Sequence, residues 1–389
     1  MKQDMTDRNQ GPAQIITSPA GLERLVDEYR REEVVAFDLE ADSMHHYREK
    51  VCLIQVATSS RVFLVDPLNL SDISPLAKLL GDPSIRKVFH GADYDVRSMR
   101  RDFSVGIDNL FDTMIACQFL GEKEVGLAAV LRKRFGVELD KRFQKADWSK
   151  RPLAPDMIAY AIADTSLLVP LYRQLEDELR VKGRLSWVEE ESELVSRATA
   201  ADRKEEPLFC RFKGAHRMDP RTLAVLEELL RLRDKKAEMY DLPPFKILSH
   251  DTLSTLAEKK PCTQAELFDI HGLSAKLIAR HGGEILKAVS IGIGLPASRL
   301  PRYPQSQRPK KDKQKMEICR RLKLWRESKA LELGMDAGSI ANNNLLDALA
   351  DAVPRDMGEL DSIKTLRKWQ KREFGEELLM VVKAAATVA

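Results

Sequence analysis

The chain has 389 residues, 43% hydrophobic and 32% charged, the composition of a globular protein long enough for two or three domains. No run approaches the roughly 18 apolar residues of a membrane span, which excludes a transmembrane protein, and the polar residues 1–10 lack the apolar core of a secretory signal. The net charge of +3 conceals a division: residues 1–206 carry 30 Lys and Arg against 36 Asp and Glu, whereas 207–389 carry 33 against 24, joining an acidic half suited to cations to a basic half suited to a polyanion.

Ser18-Pro19 reads as an N-cap and first helical residue, with Leu22, Leu25, Val26 and Tyr29 at helical spacing behind it. Strands are predicted at 34–39, 51–57 and 62–65, where β-branched and aromatic residues concentrate, with connections short enough for antiparallel hairpins. A fourth strand at 87–90 leads into a helix from about Asp95. Helices follow at 113–120 and 127–135, then a long one from Pro155 to Val181, bent at Pro170, whose ring removes a backbone donor. A meander followed by alternation with helices predicts a mixed sheet flanked by helices. From Phe212 onward the strand signals vanish. Asp219-Pro220 caps a helix with Leu223, Leu226, Leu230 and Met239 as its apolar positions, ended by Leu242-Pro243-Pro244. Short helices at 252–259, 263–270 (opened by the capping-box pair Thr263 and Glu266) and 274–289 complete a small bundle. Residues 297–315 read as a Pro-containing basic linker, and 316–389 as a second helical block with Leu322, Trp325, Leu331, Leu345, Leu349, Leu360, Leu366, Trp369 and Leu379 in its core. The five cysteines are odd in number, without a CxxC pair. They are expected to be small buried residues in a reducing cytoplasm rather than a disulfide or zinc framework.

Chemistry concentrates in the acidic half. In Phe37-Asp38-Leu39-Glu40 the carboxylates are two residues apart on a strand and therefore share a face. At the end of a buried strand they repel unless a cation lies between them, and a hard ion such as Mg²⁺ or Mn²⁺ prefers oxygen donors. Asp95 follows the fourth strand at the start of a helix. Tyr160 and Asp164, four apart in an otherwise small and apolar stretch, share a helix face. Four carboxylates and a phenol from separate segments suit a two-metal site for in-line phosphoryl transfer.

The Asp38-x-Glu40, His90-Gly91-Ala92-Asp93-Tyr94-Asp95 and Tyr160-xxx-Asp164 motifs, in this order, resemble the three exonuclease motifs of the DEDD superfamily, in the DEDDy branch that carries the tyrosine. Leu242-Pro243-Pro244-Phe245, Leu253, Pro261, Leu267 and Ile270-His271-Gly272-Leu273 resemble an HRDC domain. The combination is similar to the bacterial ribonuclease D family, as are Val65-Asp66-Pro67-Leu68, Asp112-Thr113 and Asp147-Trp148-xx-Arg151-Pro152-Leu153. Leu39 departs from the threonine of many relatives. The resemblance implies an α/β, ribonuclease H-like mixed-sheet exonuclease domain at 1–206, then all-α HRDC-like bundles at 207–296 and 316–389 flanking the linker 297–315. It further implies a metal-dependent 3′→5′ exoribonuclease releasing nucleoside 5′-monophosphates, with tRNA precursors as substrate. In that reading Asp38 bridges two ions, Glu40 and Asp164 complete the site that activates water, Asp95 holds the second ion, and Tyr160 orients the water.

Among residues not given such roles, His45-His46 are expected to be a solvated loop pair. His90 is read either as a substrate contact or as a hydrogen-bonded strand-end histidine, Asp66 and Asp112 as capping or turn residues, and Trp148 as packing for a loop. The run Arg308, Lys310, Lys311, Lys313, Lys315, Arg320 and Arg321 is the expected RNA footprint, because neutralising phosphates gives affinity without reading sequence. A DNA 3′→5′ exonuclease and a non-catalytic nucleic-acid-binding protein with a decayed nuclease fold are the competing readings.

Overall fold

A computed structural model describes residues 14–199, 206–304 and 312–387. Its first part runs β1 (Gln14–Ile16), α1 (Pro19–Tyr29), β2 (Val34–Ala41), β3 (Val51–Ala57), β4 (Val62–Val65), α2 (Pro75–Leu80), β5 (Arg86–Phe89), α3 (Asp93–Phe103), β6 (Leu110–Asp112), α4 (Thr113–Leu120), α5 (Leu127–Phe135), α6 (Pro155–Ser166), α7 (Leu168–Val181) and α8 (Leu185–Ser196). Among the described residues the sheet has the order β1-β4-β3-β2-β5-β6. The meander β2-β3-β4 is antiparallel, while β1 on β4 and β5 and β6 beyond β2 are parallel. The mixed sheet is therefore present as predicted. β1 and β6 are not among the strands expected, because at three residues each they are too short for alternation to register.

Alternation along β2 divides its side chains between two cores. Val35, Phe37 and Leu39 pack with Leu22, Tyr29 and Phe89 on one face, and Phe37 stacks on Phe89 at 5.5 Å between ring centroids. Ala36 faces the other way, toward Phe111, Leu168 and Tyr172. Asp38 and Glu40 belong to that second face by register, and α6 lies across β2, β3 and β4 there. The predicted single helix from Pro155 to Val181 is two helices. The break falls at Leu167 (φ −103°, ψ 2°), not at Pro170. Pro170 sits in the first turn of α7, where its missing N–H costs no hydrogen bond.

The following elements are α9 (Pro220–Tyr240), α10 (Pro244–Ile247), α11 (His250–Lys259), α12 (Gln264–Phe268) and α13 (Ala275–Gly294). Residues 206–304, with 42–50, form one compact unit around Leu223, Leu226, Leu253, Leu267 and Ile285. Met239, expected inside, is 59% exposed. Gly292 lies where a Cβ would come within 2.5 Å of Val225 Cα, so α13 and α9 approach along a seam only glycine allows. His46 is not the solvated loop residue expected: its Nδ1 is 2.7 Å from Asp241 Oδ2, and Arg48 pairs with Glu238 at 2.9 Å.

The chain ends in α14 (Lys313–Leu333), α15 (Ala337–Ile340), α16 (Asn343–Ala352), α17 (Met357–Asp361) and α18 (Lys368–Ala386). Residues 312–387 belong to the same compact unit as the sheet. Trp187 of α8 stacks on Trp369 of α18 at 4.6 Å, and Phe119 of α4 meets Trp369 edge-on. Glu190 accepts from the N–H groups of Lys368 and Trp369 at 2.7 and 2.9 Å, so a carboxylate from α8 satisfies the free donors at the start of α18. Buried Arg184 donates to Phe119 O and to Leu333 O, both at 2.8 Å. Leu331, predicted for this core, is instead 86% exposed. At the ends of the segment read as a linker, Tyr303 donates to Cys210 O at 3.1 Å and α14 begins at Lys313. Cys52 and Cys117 are buried as expected, Cys210 and Cys319 are half-buried, and Cys262 is exposed.

Candidate active site

Three segments deliver carboxylates to one place. On β2, Asp38 and Glu40 point to the face covered by α6, just before the ladder with β3 is interrupted by a register shift between Glu40 and Ala41. From α6 comes Asp164, one turn after Tyr160. Ligand oxygens of Asp38, Glu40 and Asp164 all lie within 4.8 Å of one another. Asp95 enters from the first turn of α3, where the positive helix end favours an anion. It stands outside that tight group but close enough for its charge to act on Asp38 and Glu40.

The turn that presents Asp95 is held by Asp112. Its carboxylate caps α4 by accepting from Met114 N at 2.8 Å and also accepts from Gly91 N at 2.9 Å and Ala92 N at 2.8 Å. Gly91 adopts φ +76°, the left-handed conformation this tight β5–α3 connection requires. Asp112 is thus a cap, as expected, and one carboxylate serves two helix starts. His90 is the hydrogen-bonded strand-end histidine. Since Thr113 Oγ1 donates to Phe89 O, the 2.9 Å contact between His90 Nδ1 and that hydroxyl has the ring donating.

Tyr160 is buried among Trp148, Leu53, Leu64 and Met157, with ring centroids 6.0 Å from Trp148 and 5.9 Å from Phe143. Trp148 packs the loop, as predicted, and is 1% exposed. The loop is locked by Arg151. Its Nε and Nη2 reach the two carboxylate oxygens of Asp66 at 2.6 and 2.8 Å, and it also donates to Cys52 O and Trp148 O. Burial would raise the pKa of Asp66, but the hydrogen bonds from Arg151 and Asn69 hold it below the usual carboxylate range.

Without a cation the acids oppose one another. Burial, then the neighbouring Asp164, pushes Asp38 up to about 7. Burial, then Asp38, Asp164 and Asp95, pushes Glu40 up to about 9. Burial lifts Asp164 to about 6 although the Tyr160 hydroxyl donates to it. Asp95 is raised well above the carboxylate range by burial and then by Asp38 and Asp112. Burial and the adjacent Asp164 raise Tyr160 too, so its hydroxyl stays protonated at neutral pH. An all-oxygen, mutually repelling donor set is the environment that suits a hard divalent cation.

Gln55 is a site residue that the motifs do not mark. It sits directly opposite Asp38 in the β2–β3 ladder, is fully buried, and has no hydrogen-bond partner for either amide atom. The signal was available: one amide in the otherwise apolar run Val51-Cys52-Leu53-Ile54-Gln55-Val56-Ala57.

The residues expected to contact RNA are described only in part. Arg308, Lys310 and Lys311 lie outside the described residues. Lys313, Lys315, Arg320 and Arg321 are on α14, where Lys315 pairs with Asp351 at 2.5 Å, and Arg320 and Arg321 share Glu317 at 2.7 and 2.8 Å. No helix among the described residues is long and apolar enough to cross a membrane.

A 3′-5′ exonuclease family model matches residues 13–180, and the HRDC domain model matches twice, at 222–289 and 315–382. The Trypanosoma brucei RRP6 catalytic core is similar in structure, with 30% identity, TM-score 0.65, and 74% of this chain and 82% of that one covered. Escherichia coli RNase D, described as an exoribonuclease involved in structured RNA processing, superposes over 96% of this chain and 99% of its own, with TM-score 0.70 and 26% identity. Ribonuclease D of Gluconacetobacter diazotrophicus is 30% identical over 94% of this chain and 91% of its own. With carboxylates converging on one sheet face and two HRDC matches behind them, this likeness over nearly the whole length shows that the chain belongs to the ribonuclease D family of 3′→5′ exoribonucleases.

Proposed function

We propose that the chain trims structured RNA from its 3′ end, with tRNA precursors as the substrate class, using two divalent cations, Mg²⁺ or Mn²⁺. The observation that carries this reading is the grouping of Asp38, Glu40 and Asp164 oxygens within 4.8 Å, with Asp95 close by. Asp38, Glu40 and Asp164 would hold one ion, and Asp38 with Asp95 the other. Such ions lower the pKa of a water molecule and neutralise charge at the leaving oxygen. The Tyr160 hydroxyl, donating to Asp164, keeps an oxygen lone pair with which to accept from the attacking water. Because its pKa is raised, it orients that water rather than removing its proton. The product is a nucleoside 5′-monophosphate.

Lys313, Lys315, Arg320 and Arg321, with Arg308, Lys310 and Lys311 before them, would track the phosphate backbone. The exposed ion pairs on α14 are weak in water, so a phosphate can displace the carboxylate partner. A time course on a 3′-extended tRNA precursor, resolved to single nucleotides, tests the reading. Stepwise 3′ shortening that EDTA stops is expected. Internal cuts, shortening from the 5′ end, or a rate indifferent to EDTA would contradict it. Matched DNA should be degraded more slowly, and equal rates would favour the general nuclease reading.

A further inference from the structure

We infer that Gln55 is a positioning residue for the cation site: its amide donates to the Asp38 carboxylate once cations are bound. The inference rests on the metal reading above and deepens it. Directly paired residues on antiparallel strands project to the same face with Cβ atoms about 4.5–5.5 Å apart, and Gln55 is the residue paired with Asp38. On its other side it is paired with Leu64, which offers no polar atom. The helix crossing this face gives no partner either: Thr165 Oγ1 is committed to Ala161 O, and the Tyr160 hydroxyl to Asp164. Both polar atoms of the fully buried amide therefore lack a hydrogen-bond partner.

A side chain with two donors and an acceptor is a poor filler for a strand whose other six residues are apolar. A role in the loaded state accounts for it. When Asp38 is ionised and shared between cations, carboxylate lone pairs not used on metal can accept from an N–H group. That bond fixes the carboxylate's rotation, as outer hydrogen bonds do for metal-bound carboxylates generally. Gln55 touches neither substrate nor water in this account. It acts through Asp38.

The test compares the parent full-length chain, Gln55→Met and Asp38→Asn by Mn²⁺ titration calorimetry without RNA, and by thermal unfolding in EDTA. Methionine keeps the volume and removes the unmatched polar atoms, so the EDTA melting temperature should be unchanged or higher. Mn²⁺ affinity should fall about 10- to 100-fold. Unchanged affinity in Gln55→Met, with affinity lost in Asp38→Asn, overturns the role of Gln55 and leaves the metal site standing. No Mn²⁺ binding by the parent overturns both. If Gln55→Met does not fold, the parent protein decides: the Gln55 side-chain NH₂ resonances should move downfield and exchange more slowly on adding Mg²⁺. An unmoved pair overturns the proposal.

Discussion

Asp38 and Glu40 are raised to about 7 and 9 by burial and then by neighbouring carboxylates, and Asp164 to about 6 by burial. A carboxyl whose folded pKa lies above its unfolded value stabilises the fold at acid pH and loses that contribution as pH climbs through the folded value. In EDTA the melting temperature should therefore fall from about pH 4, where the unfolded carboxyls ionise, to about pH 9, where the last folded one has done so. The gain on adding Mg²⁺ should grow across the same interval, because protons and cations compete for the same oxygens. A Mg²⁺ effect independent of pH, measured by thermal unfolding, would contradict this. Asp38→Asn and Asp164→Asn should each raise the EDTA melting temperature at pH 8 and lower kcat on RNA by about 10³-fold or more. Tyr160→Phe should lower kcat by about 10²-fold through loss of water orientation with Mn²⁺ affinity unchanged; a parallel loss of affinity would make the tyrosine a structural part of the cation site. These residues were legible in the sequence because strand and helix periodicity fix which side chains share a face. Asp38 and Glu40 follow period 2, and Tyr160 and Asp164 follow one helical turn. Gln55 was not legible, since its importance comes from cross-strand register, which a single sequence does not display.

At the level of elements, the loop carrying Trp148 and Arg151 decides how firmly Tyr160 is held. Arg151 joins four acceptors on three segments: Asp66 after β4, Cys52 on β3, and Trp148 and Lys150 within the loop. Arg151→Ala leaves Asp66, 2% exposed, as an unpaired buried carboxylate, a loss of about 3–5 kcal/mol. Urea unfolding should show that loss, together with a kcat decrease on short RNA at unchanged Mn²⁺ affinity. A variant of parental stability would show that the pair does not hold the loop. Asp66 was foreseen as a turn residue because Asp accepts from N–H groups two positions on, as it does from Leu68. Its partner 85 positions away was not visible, and neither was the break at Leu167. Proline at 170 drew attention to the wrong residue, since local propensity marks where a helix is weak and packing decides where it parts.

Over the whole molecule, the sequence divides into an acidic and a basic half, yet the last 76 described residues complete the core of the first unit. Hydrophobic periodicity located the second bundle's Leu322, Leu345, Leu349, Leu360 and Trp369, all buried as expected. It could not say that Trp369 stacks on Trp187 or that Glu190 caps α18, because each helix looks self-sufficient when read alone. Deleting the C-terminal block would strip this core, so point variants are the better probe. Trp369→Ala should cost about 3–5 kcal/mol and lower a single unfolding transition shared by nuclease and C-terminal block. A Trp369→Ala variant whose nuclease part still unfolds at the parental temperature would contradict the common core. A close approach of backbones supports the same view: a Cβ on Gly121 would meet Gly334 O. In the proposed function, this architecture brings acids from β2, α3 and α6 together to hold cations. Anomalous diffraction from crystals soaked in Mn²⁺ tests that most directly. The account predicts two peaks about 3.5–4 Å apart, with Asp38 between them, and the absence of a peak among Asp38, Glu40, Asp95 and Asp164 would contradict it.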